Sequence, residues 1–395
     1  MLDPVPNLRH LAGIVGIAET GTLSAAADRI SLSQPALTQG LSRIEARLGI
    51  ALFQRIGTGM KPTEPGELYV RRLRRGFGFL QRAARAVGRP HLWQLVTVAQ
   101  LRALIAAIER GGFRPAAIHL GQRVSTISRA CRDLETLGET RFFETTSRGL
   151  SPRRQAETFT QLAQLALNEF RQAERDVRGW QGSFEGRLDI GCLPLAQTAI
   201  LPAAQNAFAL EYPGIAQRVV DGLYRALARD LLRGTLDLMI GALRGSDLPD
   251  GLTQAELFAD HLWIVARPGH PLEGVCDLGE ADLALFPWVA PRAGAPARAQ
   301  FDRLHGVLAR APGVPSPIET GSHSVMKGLL IGSDRLTVVS RMQVKHEVSS
   351  GALIRLDAPV HDEARSIGYT HRNDWMPSVP QARFLDILRE TVARA

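Results

Sequence analysis

The sequence predicts an N-terminal half of two tandem winged helix-turn-helix domains, all-α apart from their wings, followed by a two-lobed α/β half. Three observations predict it. Residues 1–182 state a pattern twice at a shift of 90 positions. From Gly186 the rhythm changes to short β-type runs alternating with helical stretches. Charge divides at the same place: residues 1–182 carry 26 Arg/Lys against 15 Asp/Glu, and residues 183–395 carry 21 against 24, so the net +8 of the chain sits wholly in its first half. A basic unit joined to a nearly neutral one is the footprint of a nucleic-acid-binding module. At 395 residues with 45% hydrophobic content the chain can bury cores for two or three folded units.

Other classes are disfavoured. No uncharged apolar stretch reaches the ~18 residues of a membrane span, and the first twenty residues lack a basic start, an apolar run and a cleavage site, so a cytoplasmic protein without membrane contact is expected. Cys131, Cys192 and Cys276 are odd in number and far apart. That suits neither a disulfide framework nor a metal site, so buried free thiols are expected and neither metal nor cofactor is implied.

The repeat runs through the whole first half. Glu19-Thr20-Gly21-Thr22-Leu23-Ser24-Ala25-Ala26 is echoed by Glu109-Arg110-Gly111-Gly112-Phe113-Arg114-Pro115-Ala116. Leu37-Thr38 then matches Ile127-Ser128, Leu52-Phe53 matches Phe142-Phe143, and Gly59-Met60-Lys61-Pro62 matches Gly149-Leu150-Ser151-Pro152. Leu48-Gly49 matches Leu137-Gly138 one residue short, which implies a deletion compensated by an insertion.

Each copy reads as three short helices and a hairpin. In the first, Leu8, Leu11, Val15 and Ala18 recur at helical spacing, a second helix follows Thr22, and Ser33 caps a third with Pro35 in its first turn. Leu37, Leu41, Ile44 and Leu48 give that third helix one apolar face. The outward face carries Gln34, Thr38, Gln39, Ser42 and Arg43, short hydrogen-bonding groups with a cation, suited to reading base edges in a major groove. The turn-rich stretch Gln54 to Lys61 is a wing whose Arg55 and Lys61 can reach the flanking backbone. A solvated polar face is the plainer reading for any single one of these residues.

At this point the first copy resembles the DNA-binding domain of the LysR family of bacterial transcription regulators. Gly21-Thr22-Leu23-Ser24-Ala25-Ala26, Ser33-Gln34-Pro35-Ala36-Leu37-Thr38, Ile44-Glu45-Ala46-Arg47-Leu48-Gly49, Leu52-Phe53-Gln54-Arg55 and Pro62-Thr63-Glu64-Pro65-Gly66 fall in that family's order and spacing. The resemblance implies that Ser33, Gln34, Pro35, Thr38 and Arg43 read bases and that Arg55 supports backbone contact. A duplicated DNA-binding unit departs from the family, whose members carry one.

The second copy changes the reading residues. Arg123-Val124-Ser125 stands where Ser33-Gln34-Pro35 stands, Pro115 falls at the start of the second helix, and Glu144-Thr145 replaces Gln54-Arg55. Ser125, Ser128, Arg129, Arg132 and Arg148 are candidates for a second DNA contact; a degenerate copy kept for packing or dimer geometry is the alternative.

After each wing the chain is helical without breakers. Phe159, Leu162, Ala166, Phe170, Ala173 and Val177 repeat at intervals of three and four, a coiled-coil-like seam that argues for self-association, the alternative being a core helix within the chain. Leu73, Gly76, Leu80, Ala83 and Val87 form a weaker stripe in the first linker. The expected boundaries are a winged helix-turn-helix over 1–66, a linker helix over 67–90, a degenerate second copy over 91–153, a linker or dimerisation helix over 154–182 and the two-lobed domain over 183–395.

In the second half, 187–191, 216–222, 236–241, 261–266, 288–290 and 336–340 read as strands and 200–210, 224–233 and 324–332 as helices, with Pro268, Gly269 and Pro271 punctuating two lobes. Gly186-Arg187-Leu188-Asp189-Ile190-Gly191, Leu201-Pro202, Tyr212-Pro213, Gly234-Thr235-Leu236-Asp237-Leu238 and Gly269-His270-Pro271-Leu272 resemble the family's effector-binding domain, which is built like a periplasmic solute-binding protein. Small anions bind such clefts where strands end and helices begin. The candidates are Leu193 and Pro194, Pro291 and Arg292, and Ser322, His323 and Ser324, with Arg292 the carboxylate partner. Ser324 as a helix cap and His323 as a satisfied loop histidine are the alternatives.

The rival class is an enzyme or an exported binding protein on the same scaffold. The sequence holds no Gly-rich phosphate loop, no Gly-x-Ser-x-Gly and no His-Glu-x-x-His, so the expectation is a regulator, not an enzyme. Its expected partners are double-stranded promoter DNA, a small-molecule effector such as a small organic acid, and further copies of the chain in a homodimer or homotetramer.

Overall fold

The computed structural model of the protein describes residues 5–146, 149–308, 316–358 and 364–394. The chain divides between Gly186 and Arg187 into two compact units. The first runs α1 (Leu8–Thr20), α2 (Leu23–Arg29), α3 (Gln34–Leu48), β1 (Phe53–Ile56), β2 (Gly59–Pro62), α4 (Glu64–Ala86), α5 (Leu92–Leu95), α6 (Val98–Glu109), α7 (Phe113–Leu120), α8 (Val124–Leu137), β3 (Phe143–Thr146), β4 (Gly149–Pro152) and α9 (Arg154–Trp180). Helix ends follow local chemistry. Thr22 and Ser33 cap α2 and α3 by accepting from the amides of Ala25 and Ala36, and α1 and α3 end on Gly21 and Gly49, both at positive φ.

The two copies coincide in detail. Glu45 Oε1 accepts from the amides of Leu52 at 2.8 Å and Phe53 at 3.3 Å, and Glu135 Oε1 accepts from Phe142 at 2.7 Å and Phe143 at 3.3 Å. These bonds also correct the sequence alignment. The amides of Ile50 and Thr140 donate to the carbonyls of Glu45 and Glu135, and Glu139 takes positive φ where the first copy has Gly49, so the shift of 90 holds through this turn without deletion or insertion. Pro115 interrupts nothing. It lies in the first turn of α7, whose amides have no intrahelical partner.

Helices α4 and α9 pack against each other along their length. Arg72 reaches Asp176 while Arg75 and Gly76 lie at Glu169 and Phe170, so the two run antiparallel. The seam of Phe159, Leu162, Ala166, Phe170, Ala173 and Val177 is buried inside this unit. It is therefore a core stripe within the chain and not the free dimerisation face that its spacing suggested.

The second unit runs β5 (Gly186–Cys192), α10 (Ile200–Glu211), β6 (Ile215–Asp221), α11 (Tyr224–Leu232), β7 (Leu238–Ala242), β8 (Leu252–Asp260), β9 (Leu262–Ala266), α12 (Glu280–Leu283), β10 (Trp288–Pro291), α13 (Pro296–Leu308), β11 (Ile318–Thr320), α14 (His323–Ile331), β12 (Leu336–Ser340), α15 (Arg341–Ser349), β13 (Ile354–Arg355), β14 (Arg365–Arg372) and α16 (Val379–Ala393). Two five-stranded sheets result, ordered β6-β5-β7-β14-β8 and β11-β10-β12-β9-β13. Each has its own apolar core, one around Phe208 and Phe384 and one around Trp288 and Phe301. This is the two-lobed α/β architecture expected, with β8, β11, β13, β14, α12, α13, α15 and α16 added to the elements named from sequence.

Candidate nucleic-acid interface and effector cleft

Helix α3 is held by its inward face. Leu37, Leu41, Ile44 and Leu48 are buried, and a Cβ at Gly40 would stand 2.7 Å from the His10 ring, so α1 and α3 approach closely there. Gln34, Pro35, Thr38, Gln39, Ser42 and Arg43 are all exposed on the other side. Thr22 and Ser33 spend their hydroxyls on capping, and Thr38 donates to the Gln34 carbonyl at 2.9 Å. The wing pairs Gln54 with Lys61 and Arg55 with Met60, turns through Gly57 at φ +59°, and is tied to the α1–α2 turn by the Met60 amide on the Gly21 carbonyl. Arg43, Arg55 and Lys61 are exposed, with no ion pair among the described residues.

In the second copy Ser125, Arg129 and Arg132 are exposed on α8, and Ser128 is half-buried. Arg129 lies 3.9 Å from Asp133, and Arg132 Nε donates to the Ser128 carbonyl at 3.4 Å. The residue before α8, Arg123, supplies no side-chain cap. Arg148 lies outside the described residues.

In the α/β unit, Pro291 and Arg292 at the end of β10 meet the turn after β11, where a Cβ at Gly321 would be 3.3 Å from the Arg292 side chain. β10 lies between β11 and β12 and is parallel to both, so this is a point where strand order reverses. Arg292 is half-buried and makes no ion pair among the described residues, whereas Arg298 nearby is engaged by Asp302, Glu319 and the Pro291 carbonyl. Ser322, not Ser324, caps α14, by accepting from the Val325 amide; Ser324 is exposed in the first turn.

His323 is satisfied. Its Nδ1 lies 3.4 Å from the Gln343 amide nitrogen and its Nε2 3.0 Å from Glu347, where Nε2–H donates to the carboxylate. Burial works against ionisation of Glu347, but the His323 hydrogen bond and nearby Lys327 outweigh it and hold the carboxyl below its ordinary range. Leu193 and Pro194 end up apart in role. The Leu193 side chain is buried in its own lobe against Gly241, and Pro194 opens a single 3₁₀ turn.

Sequence reasoning missed the group that joins the lobes. Asp260, fully buried at the end of β8, accepts from Ser340 Oγ at 2.9 Å and from Arg365 at 2.5 Å. One carboxylate thus ties the passage from β8 to β9, the end of β12 and the start of β14. Thr198 adds a bond to the Met342 carbonyl at 3.3 Å, which links the turn after β5 to α15. A lone Asp in a strand-ending stretch carries no sequence signal for such a role.

A family model described as "LysR substrate binding domain" matches residues 181–393, and one described as "Bacterial regulatory helix-turn-helix protein, lysR family" matches twice, at 8–67 and 98–157. The chain belongs to the LysR family of transcription regulators. This LysR-type regulator is 30% identical to the HTH-type transcriptional regulator GalR of Pseudomonas putida over 398 residues, 99% of each chain. It is 28% identical to PcaQ of Agrobacterium fabrum over 303 residues, covering 76% of this chain and 93% of that one. Among solved structures, full-length LysG from Corynebacterium glutamicum with bound effector Arg is similar, with a TM-score of 0.50 at 17% identity over 75% of this chain and 97% of that one. The regulator thus binds promoter DNA and is modulated through an effector-binding domain. No described helix is long and apolar enough to cross a membrane.

Proposed function

We propose that α3 is the base-reading element of this regulator, with Gln34, Pro35, Thr38, Gln39, Ser42 and Arg43 at the base edges, Thr22 and Ser33 fixing the helix entry, and Arg55 and Lys61 on flanking phosphates. The observation that carries this is the exposed polar face of α3, where Gln34, Gln39, Ser42 and Arg43 make no side-chain bond among the described residues, on a helix whose opposite face is packed. The test is footprinting of the full chain on the DNA upstream of its own gene. Gln34→Ala with Arg43→Ala should remove the part of the specific footprint that α3 reads and weaken binding by about ten- to a hundredfold, the worth of one good side-chain-to-base pair. Arg55→Ala with Lys61→Ala should instead weaken all sequences alike and lower the salt dependence by about two phosphate contacts. An unchanged footprint with the first pair would refute the assignment.

The effector we propose is a small organic acid, held by the uncommitted Arg292 guanidinium beside the Ser322–Ser324 turn, with Pro194 contributing only backbone. A ligand there would act on DNA binding only through its differential affinity for the DNA-bound and free forms of the regulator. A melting-temperature panel of small carboxylates should give a stabilised wild type and an unresponsive Arg292→Ala; equal responses would refute the site. The protein acts as a cytoplasmic regulator rather than an enzyme, in homodimers or homotetramers assembled through surfaces other than the buried α9 seam.

A further inference from the structure

The α4–α9 interface is chemically two-ended. At one end Arg47 pairs with Glu174 at 2.5 Å, Arg72 with Asp176 at 2.7 Å and Glu169 at 3.1 Å, and Arg75 with Glu169 at 3.2 Å. The residues 90 positions away from these are Leu137, Leu162 and Leu165 on one side and Phe79, Ala84 and Ala86 on the other, all apolar. Pairing α4 with a second α4 would bury Arg72 away from these acids, and pairing α9 with a second α9 would bury Glu169 and Glu174, with half-buried Asp176 beside them, away from Arg47, Arg72 and Arg75. Pairing α4 with α9 satisfies both, and one chain supplies both.

The contacts beyond the two linker helices are reciprocal. Gln181, just past α9, donates to the carbonyl of Leu48 at the end of α3, and Arg89, just past α4, donates to the carbonyl of Gly138 at the equivalent point after α8. The third helix of each copy is thus held at its C-terminal end by the other copy's linker, the self-complementary arrangement that a two-fold dimer makes from two chains. The two outward faces differ in chemistry. Where α3 presents Gln34, Thr38, Gln39, Ser42 and Arg43, α8 presents Val124, Ser128, Arg129, Arg132 and Asp133.

We infer that a single chain reads two unlike half-sites of one duplex, α3 on one and α8 on the other, with the α4–α9 interface taking the place of a second subunit. The inference rests on the reading of α3 as a DNA-contacting helix. Glutamine suits adenine, whereas arginine suits guanine and aspartate suits cytosine, so the α8 half-site is expected to be the richer in G·C pairs.

Selection of randomised duplexes by the full-length protein at fixed salt tests it. The expected product is a site with two non-identical halves, one of them G·C-rich. Arg129→Ala with Arg132→Ala should erase base preference in that half and weaken binding about ten- to a hundredfold, leaving the other half as selected by wild type. Gln34→Ala with Arg43→Ala should erase the opposite half. A perfect inverted repeat, or an Arg129/Arg132 variant that selects the wild-type site with wild-type affinity, overturns the inference while leaving α3 as reader. Indifference to the Gln34/Arg43 pair would instead defeat the reading of α3. Both pairs are exposed, and unchanged melting temperatures establish that the variants fold.

Discussion

Replacing Arg72 with alanine is expected to cost the first unit about 3 kcal/mol, the low end for breaking a buried ion pair, because the change leaves half-buried Asp176 without this cation and buried Glu169 with Arg75 alone. Arg72 is 3% exposed, and its guanidinium holds Asp176 and Glu169, both on the opposing helix. The loss therefore falls on the contact that joins the two copies, and specific DNA binding should weaken along with stability. Denaturant unfolding of wild type and variant gives the number. A companion variant, Arg72→Met with Glu169→Gln and Asp176→Asn, removes the charges together and should recover much of the deficit. If Arg72→Ala unfolds at the same denaturant concentration as wild type, the ion cluster does not hold the interface.

Gly76→Leu should be comparably damaging, by about 3 kcal/mol, and for a different reason. Even a Cβ at Gly76 would stand 2.3 Å from the Phe170 ring, in an interface where Phe77 already packs on Phe170 at 5.0 Å. Overfilling such a site usually costs about 1–3 kcal/mol and forces the neighbours apart. Gly78, two residues on and on the same helix, has nothing within 4 Å of its missing Cβ. Gly78→Ala should therefore stabilise by roughly 0.5–1 kcal/mol through helix propensity alone. Opposite signs for two glycines in one turn discriminate packing against α9 from a general intolerance of change in α4; equal effects would count against the described packing.

The first copy was legible because its signals are local. Caps, a first-turn proline and a 3.6-residue stripe are all written within α2 and α3, and the exposed reading face is what the stripe leaves over. The seam of α9 was legible as a seam but not as to its partner, since periodicity says that a face is buried and never by what. The apparent slip at Leu137-Gly138 arose because letters were matched where the backbone is what repeats: Glu139, not Gly138, occupies the left-handed position of Gly49. In the α/β unit, β8 escaped notice because Leu252 to Asp260 shows no two-residue alternation of exposure, with only its two ends buried. Asp260, Thr198 and Glu347 act across long sequence separations, and nothing near them in the chain announces it. Cys276 is exposed, contrary to the expectation of three buried thiols; its neighbourhood of turns carries no helical or strand period from which burial could be judged.

The cysteines provide the means for the decisive measurement. Cys131 and Cys192 are buried, and burial pushes both thiols up to about 12, so in the native protein only Cys276 should react with a maleimide. In a Cys276→Ser background, a DNA-cleaving iron chelate can be attached at one new thiol outside the proposed contacts, at the exposed and equivalent positions Ala46→Cys on α3 or Thr136→Cys on α8, and the cuts mapped on the selected operator. The account predicts strand cleavage from both positions, in different halves of the site. Cleavage from position 46 alone, with position 136 silent at full occupancy, would contradict a chain that reads DNA with both of its copies.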